Sequence, residues 1–158
     1  MVPIRAPRSL QHLLNLLPPP PPRDGPYTPP MDLEGATTMV TGAANRIGRH
    51  IAQGLADAGA NVAITYQSSH DAALNTLEDL CSRGVDACAV ELDLTEPADC
   101  VRAVEQVEQD LGPVDVLVNN ASSYPPTPIP PTNHQEWYDS FDVVLHGPYH
   151  PDSYKHLR

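Results

Sequence analysis

Gly42-x-x-x-Arg46-x-Gly48 follows the run Thr38-Met39-Val40-Thr41 and opens into Ile47-Gly48-Arg49-His50-Ile51-Ala52. A strand that ends in a glycine turn and feeds a helix presents free backbone N–H groups, an arrangement that can seat the pyrophosphate of a dinucleotide. Gly42 falls where the chain must turn tightly and Gly48 where the helix must lie close to the sheet, so a side chain at either place costs packing or strain. Asn45 is placed to cap the helix. Arg46 adds a cation beside the phosphates to the dipole of the helix N-terminus. The same spacing suits an ordinary strand-turn-helix corner, and the downstream chain has to decide between the two.

The elements that would position this turn alternate from Ala36 onward in the manner of a doubly wound sheet. A first strand ends at Thr41, and a helix from about Arg46 to Ala58 carries Ile47, Ile51 and Leu55 as its expected buried stripe, with Gly59 as its stop. Asn61 to Tyr66 reads as a second strand covered on both faces. Ser69 to Arg83 reads as a helix with Ala73, Leu77 and Leu80 inward and Gly84 as its stop. Val85 to Leu92 is the third strand. A helix follows from Pro97, with Val101, Val104, Val107 and Leu111 inward and Gly112-Pro113 closing it. Its acids read as a solvated face. Val114 to Asn119 is the fourth strand. Right-handed crossovers then require an α/β Rossmann sheet of order 3-2-1-4, with the ligand crevice between strands 1 and 4 where the order reverses. Gly42 and the segment Asn119 to Ser123 should meet there.

The first thirty of the 158 residues hold ten of the nineteen prolines, three arginines and one acid, Asp24. Pro18 to Pro22 cannot enter a helix interior or a central strand and should be extended polyproline II, outside the folded domain. Leu10, Leu13, Leu14 and Leu17 could form one helical stripe, which leaves a transit peptide, a translation start at Met31 and a proline-recognition ligand as open readings. The remaining residues carry six Lys or Arg against nineteen acids. That balance lacks the clustered basic face that nucleic-acid binding requires. No apolar run approaches a membrane span. Cys81, Cys88 and Cys100 are odd in number and lack C-x-x-C spacing, as expected of reduced thiols in a cytoplasmic protein.

Thr41-Gly42-x-x-x-Arg46-x-Gly48, Asp93-Leu94, Val118-Asn119-Asn120-Ala121-Ser122-Ser123 and Tyr124-Pro125-Pro126-Thr127-Pro128 together resemble the short-chain dehydrogenase/reductase family. Arg46 stands where that family generally has glycine, and Ser122 where it has the glycine of Asn-Asn-Ala-Gly; both departures resemble its pteridine-reductase branch. The resemblance implies that Gly42, Arg46, Ile47 and Gly48 line a pyrophosphate. It also implies that Asp93 and Leu94 touch the adenine, that Asn119 with Ala121 supports the adenosine ribose, and that Ser122 faces the nicotinamide. Tyr124 stands where the branch places a ring that stacks on the pterin, against the plainer reading of a loop tyrosine shielding the proline run.

The choice of cofactor follows from the residues themselves. An NAD-selective site wants an acid near the end of the second strand. This chain has Tyr66-Gln67-Ser68-Ser69 there, so a 2′-phosphate can be accepted by hydroxyls such as that of Ser68 and by backbone at the next helix start, which favours NADP. Reduction in this family needs a Tyr-x-x-x-Lys pair, in which the lysine lowers the phenol pKa. None occurs in the 158 residues: Tyr154 and Lys155 are adjacent, and Tyr149 has Ser153 at the fourth position. Phe141-Asp142-Val143-Val144-Leu145 aligns with a family segment whose asparagine holds a water, and Val144 cannot do so. His146 and His150 have helical metal spacing, but Gly147-Pro148 lies between them and no carboxylate cluster accompanies them.

The resulting expectation is a Pro-rich tail over 1–30, a partial NADP-binding domain over 31–150 and a non-family tail over 151–158 that reads as a truncation or frame change. Such a chain would bind NADPH, and a pterin-like molecule if completed, without a catalytic residue of its own. The rival readings are a non-catalytic module that senses or sequesters the dinucleotide or docks on a partner through its fourth-strand edge, and an unstable truncated product without function.

Overall fold

The computed structural model describes residues 31–123 and 134–149. Four strands, β1 (Thr37–Val40), β2 (Asn61–Tyr66), β3 (Ala87–Glu91) and β4 (Val116–Val118), form one sheet of order β3-β2-β1-β4. Every pairing is parallel, with Val40 opposite Ile64 on one side and Val118 on the other. Helices α1 (Arg46–Asp57), α2 (His70–Cys81) and α3 (Pro97–Leu111) make the crossovers, and α4 (His134–Phe141) continues into a π-helical turn over Asp142–His146. The sheet order is the one required by the alternation of elements, with the reversal between β1 and β4.

Alternation along the strands divides the core between two faces. Met39, Ala63, Val90 and Leu92 pack with Cys100, Ala103, Val104 and Val107 of α3. Val40, Val62 and Ile64 pack with Ala52 and Ala56 of α1 and with Ala73 and Leu80 of α2. Strand β1 is buried throughout, as an interior strand must be. Strand β4 pairs with β1 and is half-buried along its length.

Three inward faces differ from the expected ones. Ile47 is 72% exposed, and the buried line of α1 is Gly48, Ala52 and Ala56, with Ile51 and Leu55 flanking it. Each position advances 100° around a helix, so a stripe one residue along is nearly as apolar in sequence. The close approach at Gly48 turns the small residues inward and the bulky ones aside. In α2, Thr76 is buried and Leu77 only half-buried. The cause is a hydrogen bond, in which Thr76 Oγ1 donates to the Ala44 carbonyl at 2.8 Å and ties the helix to the turn after β1. In α3, Cys100 and Ala103 are buried where Val101 is half-buried. Ile47→Ala should therefore change the unfolding free energy by less than ~0.5 kcal/mol, as exposed positions do, read as an unchanged urea midpoint.

The strand and helix ends also lie inside several expected boundaries: β1 stops at Val40, β3 spans Ala87–Glu91 and β4 spans Val116–Val118. Cys81 is exposed, Cys88 half-buried and Cys100 buried, and all three are free. Burial, with Asp110 nearby, pushes the Cys88 thiol up to about 11, so it stays protonated at neutral pH. Among the described residues no helix is long and apolar enough to cross a membrane.

Candidate functional site

The carboxyl ends of β1, β2 and β3 and the segment after β4 open onto one crevice of about 440 Å³. Gly42, Arg46, Ile47, Gly48, Ser68, Asp93, Leu94, Ala121 and Ser122 all line it. Asn119 does not. It is exposed, and the adjacent Asn120 turns inward instead. Tyr124, residues 1–30, His150 and the 151–158 tail lie outside the described residues.

The wall nearest β1 is a braced backbone turn. Gly42 has φ +64, and its N–H donates to Thr65 Oγ1 at 3.3 Å, while the Ala43 N–H donates to the Thr65 carbonyl at 2.9 Å. From the other side, Asn120 Nδ2 donates to the carbonyls of Thr41 at 2.9 Å and Gly42 at 3.1 Å. Thr41 Oγ1 accepts the N–H groups of Asn120 and Ala121 at 3.0 and 3.1 Å. The turn after β1 and the segment after β4 are thus one hydrogen-bonded unit, which is why Gly42 and Ala121 reach the same crevice.

Helix α1 starts at this wall. Asn45 occupies the N-cap position but makes no side-chain cap bond, contrary to expectation. Its backbone is extended there, and the first-turn N–H groups, which have no intrahelical partner, stay open to a ligand oxygen. Arg46 has φ +51, the only positive φ at a non-glycine among the described residues, a conformation that costs an L-residue roughly 1 kcal/mol. A cost of this kind persists where neighbours enforce it. His50 Nδ1 bonds the Arg46 carbonyl at 2.8 Å, and because a carbonyl only accepts, that nitrogen carries the proton.

The far wall is polar. Asp93, just beyond β3, accepts both the N–H and the O–H of Thr95 on Oδ1, at 2.9 and 2.6 Å, and Gln67 Nε2 on Oδ2 at 2.9 Å. The Thr95 hydroxyl, followed by the Thr95 N–H and then Gln67, holds the Asp93 carboxyl below its ordinary 3.8. A depressed folded-state pKa contributes stability above the unfolded value and loses it as pH falls through the folded one. Asp93→Ala should therefore melt below the wild type at pH 6, and the gap should close as pH drops below 3.8, measured by thermal melts across that range.

Tyr66 Oη and His70 Nδ1 are hydrogen-bonded at 2.8 Å with their rings edge to face, and Ser69 begins α2 without a side-chain cap bond. Asp71, the acid in the first turn of α2, is not among the lining residues. Val143 of the π-helical turn reaches the crevice, while Val144 is 52% exposed. His146 Nδ1 lies 2.8 Å from Asp142 Oδ1 on an exposed surface.

Thr65, Leu92 and Val143 also line the crevice, and sequence reasoning did not single them out. Thr65 and Leu92 read as strand residues. For Val143 no local signal exists, because only packing brings α4 and its extension to the β3 loop, where Gly147 abuts Leu94.

A family model described as short chain dehydrogenase matches residues 36–152. The 3-oxoacyl-acyl-carrier-protein reductase FabG of Staphylococcus epidermidis is 36% identical over 111 residues, covering 70% of this chain and 46% of that protein. Among solved structures, a blue fluorescent protein from a metagenomic library in complex with NADPH aligns at TM-score 0.71 and 34% identity, over 78% of this chain and 51% of its own. A short chain dehydrogenase from Burkholderia cenocepacia in complex with NADP aligns at TM-score 0.72 and 29% identity, over 78% and 50%. The chain spans about half the length of these relatives.

Proposed function

The chain belongs to the short-chain dehydrogenase family, and on that premise we propose that its crevice binds NADPH. The observation that carries this reading is the uncapped N-terminus of α1 beside Gly42, facing Asp93 across a crevice at the point where the sheet order reverses. Pyrophosphate oxygens would lie on the first-turn N–H groups of α1, with the Arg46 guanidinium beside them. The adenosine would extend toward Ser68, Asp93, Leu94 and Ala121, and the nicotinamide toward Ser122. The absence of a carboxylate from the lining at the end of β2 supports NADP over NAD, with Ser68 and Ser69 as donors to a 2′-phosphate. When bound, the cofactor supplies a hydride.

For the 158-residue chain we infer binding without turnover. The sequence contains no Tyr-x-x-x-Lys pair to supply the proton, and Val144 can neither donate nor accept a hydrogen bond through its side chain. The finer reading, a pterin as the molecule that meets the nicotinamide, is supported by Arg46 and Ser122, the two pteridine-reductase marks, which both line the crevice.

Titration with NADPH and NADH, followed by the fluorescence of the reduced nicotinamide, tests the proposal. NADPH should saturate a single site, and NADH should bind at least about tenfold more weakly, the loss expected of charge-assisted phosphate contacts. Arg46→Gly should weaken NADPH by about tenfold or more for the same reason, while Tm holds or rises because the left-handed position suits glycine. Folded protein that shows no saturable NADPH binding would overturn the reading. A pterin that binds only after NADPH, without consuming it, would support the substrate class.

A further inference from the structure

We propose that Gln67 is a positioning residue that orients the Asp93 carboxylate, so that the crevice selects a base with an amino group at its 6-position over one with an oxo group. The inference rests on the NADPH reading, since it concerns the base of that dinucleotide.

Gln67 directly follows β2, and Asp93 lies two residues beyond β3, the adjacent strand. The ladder pairs Tyr66 with Glu91 and is extended one step by the Leu92 N–H to the Tyr66 carbonyl at 2.8 Å. Past that bond the two chains separate into the loops that frame this end of the crevice, and the Gln67 Nε2 to Asp93 Oδ2 bond of 2.9 Å spans the gap between them. Both residues line the crevice.

The division of labour on Asp93 is specific. Oδ1 accepts two hydrogen bonds from Thr95 within its own turn. That leaves Oδ2 to be set by Gln67. A carboxylate oxygen accepts two hydrogen bonds, so Oδ2 keeps a lone pair after Gln67 has taken one. With both oxygens held, the direction of that lone pair is fixed relative to the loops.

An ionised carboxylate only accepts, so it recognises a donor. In a Rossmann crevice the adenosine lies toward the end of the second strand. A base there that presents an exocyclic amino group can donate to Oδ2. A base that presents a carbonyl oxygen at the same position sets two acceptors against each other. The oxo base therefore loses a hydrogen bond to a charged acceptor, here at the exposed rim of the crevice. Glutamine suits residue 67 because its amide donates without adding charge. A carboxylate there would repel Asp93.

The test is the affinity of the wild type and Gln67→Ala for NADPH and for reduced nicotinamide hypoxanthine dinucleotide phosphate, with Tm recorded for both proteins. The wild type should prefer the adenine form by about tenfold. Gln67→Ala should weaken the adenine form about threefold to tenfold and leave the hypoxanthine form and Tm unchanged, which reduces the preference. Gln67→Glu should reduce it further. An unchanged preference in Gln67→Ala, with NADPH still bound, overturns this inference and leaves the NADPH reading standing. Equal weakening of both forms also overturns it, because that result marks a structural role. A wild type that binds neither form removes both proposals.

Discussion

Gly48→Ala is expected to destabilise the fold by about 4 kcal/mol, beyond ordinary overpacking because the new atom meets backbone. A Cβ at Gly48 would lie 2.5 Å from Asn120 Nδ2 and 2.7 Å from both Ala43 Cα and the Gly42 carbonyl oxygen. Ala43 and Gly42 belong to the turn held by Thr65, so they cannot withdraw without breaking the bonds that shape the crevice. Asn120 could move only by releasing its bonds to the Thr41 and Gly42 carbonyls. Whichever group yields, the turn after β1 and the segment after β4 separate.

Since a domain of this size has only about 5–15 kcal/mol of total stability, the variant should show a large drop in urea midpoint and lose NADPH binding together. Gly54→Ala, in the same helix, is the control. Nothing lies within 4 Å of its added Cβ. It should gain about 0.5–1 kcal/mol from helix propensity and leave the crevice intact. If Gly48→Ala were as stable as Gly54→Ala, the close packing of α1 on the Asn120 brace would be wrong.

The second large effect is expected at Thr41. Its hydroxyl uses its full capacity, accepting from the N–H groups of Asn120 and Ala121 and donating to the Val118 carbonyl at 3.5 Å. Valine keeps the shape and removes the oxygen. Two partly buried N–H groups then lose their partner, which costs about 2–3 kcal/mol in all. The loss differs in kind from that at Gly48. Strand β1 still pairs with β4, because the Thr41 N–H to Val118 carbonyl bond of 3.0 Å is made by backbone. What loosens is the segment Asn120 to Ser123, which lines one side of the crevice. Hydrogen exchange at Asn120 and Ala121 should rise in Thr41→Val while exchange in β2 stays slow, and NADPH affinity should fall. Thr41→Ser, which keeps the oxygen, should restore protection.

The order of the sheet and the place of the crevice were legible because they follow from alternation and handedness. Strands covered on both faces and helices stopped by glycine leave one topology once crossovers are right-handed. The boundaries of β2 and the start of α3 at Pro97 matched the expected residues, because Tyr66 gives way to polar residues and proline favours a helix first turn. The inward face of α1 was less legible. Ile47 and Gly48 are neighbours, and periodicity alone cannot rank a bulky stripe above a small one. The reach of Asn120 decided it, since a helix braced that closely puts Gly48, Ala52 and Ala56 on its buried line and leaves Ile51 and Leu55 half-buried beside them.

The sequence by itself determined the fold class, the strand order and the end of the sheet at which the crevice opens, because each depends on local pattern or on rules of chain connection. Only the tertiary structure decided that Asn120, and not Asn119, turns inward. Strand side chains alternate, but this pair lies beyond β4, where contact with the Thr41 and Gly42 carbonyls sets the direction. Only tertiary structure, too, showed Arg46 held in a left-handed conformation and Gln67 joined to Asp93 across two loops. Both are matters of which distant groups meet, Gln67 and Asp93 being 26 residues apart, and such encounters leave no trace in local spacing.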